Sequence, residues 1–139
     1  MTLYVLDTDH LSLNLHGHLQ IRKRLTQISP NDLAITIITA EEQLRGRLAQ
    51  VSKAATGEAR STAYHFLRKA IIDLAKLNIL DYDAMSESIY QELRRRRLRV
   101  GSQDLRIAAV TLANNSVLVT RNRIDFSQVP GLTLEDWTL

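Results

Sequence analysis

The chain has 139 residues, of which 45% are hydrophobic, a size and apolar content that suit one domain, residues 1–139, around one buried core and speak against a two-domain reading. There is no cysteine, which excludes disulfides and thiolate metal sites and is compatible with a reducing compartment. Lysine and arginine number 18 against 15 acids, fourteen of the bases being arginine, and this excess suits either a polyanionic partner or an arginine-rich helix face turned to solvent.

The opening Met-Thr-Leu-Tyr-Val-Leu-Asp is too short an apolar run, and too quickly acidic, for a signal peptide. No later stretch is long and apolar enough to span a membrane, so a cytoplasmic protein is expected. Tyr4-Val5-Leu6 predicts a short buried strand entering a loop at Asp7, and Asp9 to Ser12 the start of a short helix. Leu19, Ile21, Leu25 and Ile28 recur at near-helical spacing before the breaker Ser29-Pro30-Asn31-Asp32. Leu33 to Ile38 reads as a β-branched buried strand that stops at Thr39, expected to cap the helix carrying Glu41, Glu42, Leu44, Arg45 and Leu48. Ala59 to Leu77 predicts a long helix with Ala63, Phe66, Leu67, Ala70, Ile71, Leu74 and Leu77 as its apolar stripe, paired in a hairpin with the helix before Gly57. Asn78 to Asp81 is a short strand. Asp83 to Leu98 is helical, with Tyr82, Met85, Ile89 and Leu93 facing inward. Ser102 is expected to cap a helix whose inner face is Leu105, Ala108, Ala109, Leu112 and Ala113. Ser116 to Thr120 is a second strong strand, and Leu132 to Leu134 offers an edge strand. Strands separated by helices imply parallel pairing with crossover connections, hence an α/β three-layer sandwich around a parallel sheet of four to five strands.

In such sheets ligands bind beyond the carboxyl ends of the strands. Asp7 follows the first strand, Glu42 follows the second by about one helical turn, and Asp125 lies in the loop after the Val117 strand. Asp104 falls in the first turn of its helix, where the dipole tolerates a free carboxylate. Alone, each acid has a plainer reading: Asp7 as a strand-ending turn, Glu42 and Asp104 as ordinary first-turn acids, Asp125 as a loop solubiliser. Together they meet at one sheet edge, and that many carboxylates without basic partners are stable only around a cation. Oxygen-only ligands select a hard ion, magnesium or manganese, which suits phosphodiester hydrolysis. With these four acids assigned to a metal site, 18 bases face 11 acids elsewhere, about +7.

Four ordered motifs carry a family resemblance over nearly the whole chain. Leu6-Asp7-Thr8-Asp9, Glu42 to Gly46, Gly101 to Asp104 followed by Ile107-Ala108-Ala109, and Thr120-Arg121-Asn122 with Asp125-Phe126 resemble the signatures of PIN-domain proteins. The likeness is strongest to the VapC-type toxins of bacterial toxin–antitoxin pairs, and Trp137 sits where that family often ends. The resemblance implies an endoribonuclease in which Asp7 and Asp104 are the main ligands of Mg2+ or Mn2+. Glu42 would ligate directly or through water, with Glu41 its substitute should the helix register differ, and Asp125 would contribute from an outer position. It makes Thr120 and Asn122 residues that orient the carboxylates, and it implies a homodimer and a small antitoxin protein that blocks the cleft with a basic side chain and a hydrophobic segment. The Ala59 to Leu77 helix and its hairpin partner offer a surface for that protein, or plain core packing.

Arg94, Arg95, Arg96 and Arg97, with Arg99, precede the Gly101 turn and suit RNA phosphates or a solvated helix end. His10, His16, His18 and His65 are expected at the surface or at helix caps. Two rival functions use the same residues. A haloacid-dehalogenase-type phosphatase would use Asp7 and Asp9 as nucleophile and acid, yet it needs a downstream lysine and a paired acidic motif that no strand end provides. A non-catalytic RNA-binding module would keep the fold without needing all four acids.

Overall fold

The computed structural model describes residues 2–139. Five parallel strands, β1 (Tyr4–Leu6), β2 (Leu33–Thr36), β3 (Ile79–Leu80), β4 (Val117–Val119) and β5 (Thr133–Glu135), form one sheet in the order β3-β2-β1-β4-β5. Helices α1 (Thr8–Leu15), α2 (Leu19–Leu25), α3 (Ile37–Lys53), α4 (Gly57–Ala75), α5 (Ala84–Arg95), α6 (Ser102–Ala113) and α7 (Arg123–Phe126) connect them, with a 3-10 turn at Pro30–Asp32. Among the described residues no helix is long and apolar enough to cross a membrane.

Successive strand residues point to opposite faces, and the core divides accordingly. Val5 and Leu118 pack with Tyr90, Leu93, Leu105, Ala108 and Phe126 on one side of the sheet. Leu6, Ile35 and Val119 pack with Leu11, Ile21, Leu74 and Trp137 on the other. Two apolar layers around one sheet make the three-layer sandwich expected from the strand and helix alternation.

Several local expectations are corrected. Strand β2 ends at Thr36, and Thr36, not Thr39, is the N-cap of α3: its hydroxyl accepts from the Thr39 N–H at 3.1 Å. The β-branched Ile37 and Ile38 therefore start a helix, because Ile38 buries against the α5–α6 core and that packing overrides strand propensity. Gly101, not Ser102, is the N-cap of α6, with no side-chain capping bond. Helix α6 is buried through Leu105 and from Ile107 to Thr111, a wider face than the predicted stripe, since it is wedged against both the sheet and α5; Leu112 and Ala113 are only half-buried. In α5 Ser86, Tyr90 and Leu93 are buried and the expected Ile89 packs half-buried against the same core, while Met85 is 60% exposed. Asp83 caps this helix through Ser86, which fixes the register and turns Met85 outward. In α4 only Ala63 and Leu74 are buried, and Phe66, Ile71 and Leu77 of the expected stripe lie exposed.

Candidate active site

Asp7 leaves β1 at its carboxyl end and becomes the N-cap of α1. Its backbone N–H donates to the Val119 carbonyl at 3.0 Å, which pins the residue between the two central strands, and its Oδ1 accepts from the His10 N–H at 2.7 Å. The carboxylate is buried yet lines an open cleft of about 450 Å3 together with Thr8, Asp9, Ser12, Asp104, Arg121, Asn122 and Phe126. The sheet topology explains the cleft: β1 and β4 are neighbours, and α1, α6 and the β4–α7 turn all emerge at their carboxyl ends.

Asp104 sits in the first turn of α6, half-buried. Its carboxyl is held above the usual range by burial first, and then by the negative charges of Asp7 and Asp125. Glu42 projects from α3 toward the same place. Burial raises its pKa, the Thr8 hydroxyl bonded to it opposes the shift, and the charge of Asp104 adds to it. Thr8 Oγ1 donates to Glu42 Oε1 at 3.3 Å and lies 3.1 Å from Thr39 Oγ1, so α1 and α3 are tied through hydroxyls beside the acids. Glu42 also lines a shallow groove that continues to Gly46, Arg47 and Gln50. Glu41 turns elsewhere, to Arg45 at 2.7 Å and Gln103 at 3.1 Å.

The third element is the turn after β4. Thr120 is fully buried, and its hydroxyl accepts from the Asn122 N–H at 3.0 Å. Asn122 caps α7, accepting from the Asp125 N–H at 3.3 Å and donating from Nδ2 to Asp125 Oδ2 at 3.0 Å. Thr120 thus shapes the turn, and Asn122 is the residue that touches a carboxylate. Asp125 is held by Asn122 and acts on Asp104 through its charge.

Of the four acids named from the sequence, Asp7 and Asp104 line the cleft, while Glu42 and Asp125 lie outside its lining and interact with Asp104 through charge. Their donor atoms are all carboxylate oxygens. Arg121 is the one base among the described residues lining the cleft, and it is engaged by Asp9, with Nε 2.6 Å and Nη2 3.3 Å from that carboxylate. An oxygen-only set with raised carboxyl groups and no free base is the environment a hard divalent cation fits. Asp7, Asp9 and His10 can also each bring one ligand atom within 4.8 Å of the others. Asp9 is compensated by Arg121 and the His10 ring is fully buried, so the Asp104 side of Asp7 is the accessible one.

The Asp9–Arg121 pair and the Thr8 bridge to Glu42 are contacts that the motifs did not reveal, because their partners lie in distant elements. His10 corrects the expectation of a surface or capping histidine: it is 0% exposed, since α1 lies under the C-terminal tail. His18 does cap α2, and His16 and His65 are exposed. The arginine run divides into two groups. Arg94 lies over the Tyr90 ring at 5.8 Å and Arg95 pairs with Glu92 at 2.9 Å, while the side chains of Arg96, Arg97 and Arg99 have no ion pair or hydrogen bond among the described residues. Gln128 accepts from the Arg99 N–H at 3.1 Å, and its own N–H donates to the Asp125 carbonyl at 3.1 Å. The arginine loop is thereby fastened to the helix that carries Asp125.

Comparison with known proteins agrees with this architecture. Residues 4–132 match the PIN domain. The chain is 32% identical to ribonuclease VapC2 of Rickettsia felis over 97% of this chain and 98% of that protein. It is 35% identical to the tRNA(fMet)-specific endonuclease VapC of Salmonella typhimurium over 68 residues, 46% of this chain and 52% of that protein. The crystal structure of VapBC2 from Rickettsia felis bound to a DNA fragment from its promoter superposes with a TM-score of 0.72 at 29% identity, covering 98% of this chain and 99% of that one. With a carboxylate cleft at the topological centre of a five-stranded parallel sheet and full-length similarity to a VapC ribonuclease, the chain belongs to the PIN-domain family, among its VapC-type members.

Proposed function

We propose that this chain is a divalent-metal-dependent endoribonuclease, hydrolysing RNA phosphodiester bonds, and the toxin of a toxin–antitoxin pair. The observation that carries the reading is that Asp7 and Asp104 share one cleft, with Glu42 and Asp125 acting on Asp104 through charge and the one base lining the cleft among the described residues already engaged. The names of the relatives, a ribonuclease and a tRNA-specific endonuclease, support the substrate class. Asp7 and Asp104 would hold Mg2+ or Mn2+, Glu42 directly or through water, with Asp125 at an outer position. Bound there, the ion would neutralise charge on the scissile phosphate and lower the pKa of a water. The Thr8 hydroxyl, 3.3 Å from Glu42 Oε1, orients the Glu42 carboxylate. Asn122 fixes the Asp125 carboxylate, and Thr120 fixes Asn122. Arg96, Arg97 and Arg99, in the loop that Gln128 ties to the Asp125 helix, would be contacts for RNA phosphates. Such a substrate is met in the cytoplasm.

The antitoxin would lie in the groove lined by Leu11, Leu15, Phe66, Leu74 and Leu77. The groove shares Ser12 with the carboxylate cleft, so a hydrophobic segment seated in it can deliver a basic side chain to the acids. The VapBC2 complex of the relative supports a partner of this kind. A homodimer is the expected assembly, measurable by light scattering. Purified chain should cut RNA, tRNA(fMet) being the first to test, with Mg2+ or Mn2+ and not in chelator. Asp7→Ala and Asp104→Ala should remain folded and inactive. Undiminished cleavage by both variants, or by wild type in EDTA, would end the proposal.

A further inference from the structure

A polar ring sealed from solvent one turn after Asp7 calls for a role, and the contacts of His10 supply one. Its Nε2 accepts from the Trp137 backbone N–H at 3.2 Å and lies 3.6 Å from Asp136 Oδ1. Its Nδ1 stands 3.4 Å from Asp7 Oδ1, and among the described residues Nδ1 is the one buried side-chain nitrogen or oxygen without a hydrogen-bond partner. Because Nε2 is occupied as an acceptor, the hydrogen-bond network assigns the ring proton to Nδ1, which aims it at Asp7. A ring in this tautomer is a donor to the carboxylate and not itself a metal ligand.

The far side of the ring is rigid. Asp136 Oδ1 accepts from the Thr138 N–H at 2.8 Å and from its hydroxyl at 2.6 Å, closing the tail into a turn. Trp137 is 2% exposed, its ring 5.4 Å from that of Tyr4 and its Nε1 donating to Glu135 at 3.0 Å. The carboxyl-terminal tail thus grips one nitrogen of His10 while the other faces Asp7. Oδ1 of Asp7 already takes the His10 backbone N–H, so both donors of one residue face that oxygen, and among the described residues Oδ2 makes no hydrogen bond in a carboxylate that lines the cleft.

We infer that His10 is a positioning residue: braced by the Asp136–Trp137 tail, it holds Asp7 Oδ1 inward so that Oδ2 is presented to the divalent cation. Donors behind a ligating carboxylate fix its orientation, and their loss typically weakens metal binding by about 10–100-fold. The inference rests on the cation reading given above. The 3.4 Å separation is longer than a formed N–H to O hydrogen bond, and such contacts are commonly long before a site is loaded.

Two substitutions separate the halves of the brace. His10→Asn places an amide N–H where Nδ1 was and abandons the tail. His10→Gln places an acceptor where Nε2 was and abandons Asp7. Mn2+ binding, titrated by electron paramagnetic resonance on folded protein, should weaken by about 10–100-fold in His10→Gln and be largely restored in His10→Asn. Equal affinity in wild type and His10→Gln overturns the inference and leaves the cation reading standing; no Mn2+ binding by wild type removes both. Should a variant fail to fold, nitrogen-15 spectra of the wild-type ring decide. A proton on Nδ1 whose signal moves when Mg2+ is added supports the brace, and a proton on Nε2, or no change with Mg2+, overturns it.

Discussion

Replacing Asp104 by asparagine tests the cation site through stability as well as rate. In wild type, Mn2+ at a hundredfold its dissociation constant should stabilise the fold by about 2.7 kcal/mol. For a chain of this length that corresponds to a rise of roughly 8 °C in melting temperature. Asp104→Asn removes a ligand charge, so most of that rise should disappear, and cleavage should fall at least about a thousandfold, an increase of about 4 kcal/mol in the barrier. Without metal the variant should be the more stable protein. The Asp104 carboxyl is pushed up by burial and by Asp7 and Asp125, so its ionised form is disfavoured in the fold, and neutralising it relieves the repulsion. Because the group is half-exposed, the gain is a few tenths to about 1 kcal/mol. A carboxyl with a raised folded pKa contributes stability below its ordinary value of 3.8 and loses it as pH rises through the folded value. The advantage of Asp104→Asn in metal-free buffer is therefore full at pH 7 and closes as pH falls toward 4. Scanning calorimetry with and without Mn2+, at pH 7 and pH 4.5, measures all three quantities. A metal-free variant less stable than wild type, with an undiminished Mn2+ shift, would make Asp104 a structural acid.

Gly46 lies inside α3 with nothing within 4 Å of where a Cβ would stand, so Gly46→Ala should stabilise the free chain by about 0.5–1 kcal/mol, read as a higher urea midpoint at constant slope. Ile107, 1% exposed, should cost about 2–5 kcal/mol as alanine, whereas Met85→Ala, at a 60% exposed site, should stay within about 0.5 kcal/mol; similar losses at the two sites would contradict the helix registers described. The Asp9–Arg121 pair is exposed on both sides, and Arg121→Gln should change stability by no more than about 1 kcal/mol in thermal melts. For an inactive variant binding RNA, Arg97→Gln and Arg99→Gln should each lower the salt slope of log affinity by about 1, while Arg95→Gln, whose base already pairs with Glu92, should leave it unchanged.

The strands were legible because Tyr4-Val5-Leu6 and Val117-Leu118-Val119 are short apolar runs buried on both faces. The start of α3 was not: Thr36 and Thr39 both carry hydroxyls at capping spacing, and the choice between them depends on where Ile38 packs in space. The four acids could be placed at one edge from topology, since strand ends are fixed by strand order. Their partners could not. Arg121 meets Asp9 across 112 positions and Trp137 meets His10 across 127, distances at which no local pattern operates. The arginine run was visible as charge, but its division depends on Tyr90 and Glu92 occupying the neighbouring helical turns.

The strand order carries a consequence for biosynthesis. Asp7 is made well before β4, so β1 gains its second neighbour only when β4 has been synthesised, and the Asp136–Trp137 segment that grips His10 follows later still. Until Asp125 and the Asp136–Trp137 segment have left the ribosome, Asp104 lacks its neighbouring carboxylate and Asp7 the brace behind it. On the proposed reading, a growing copy has an incomplete site, and activity would wait until the residues through Trp137 have emerged and folded.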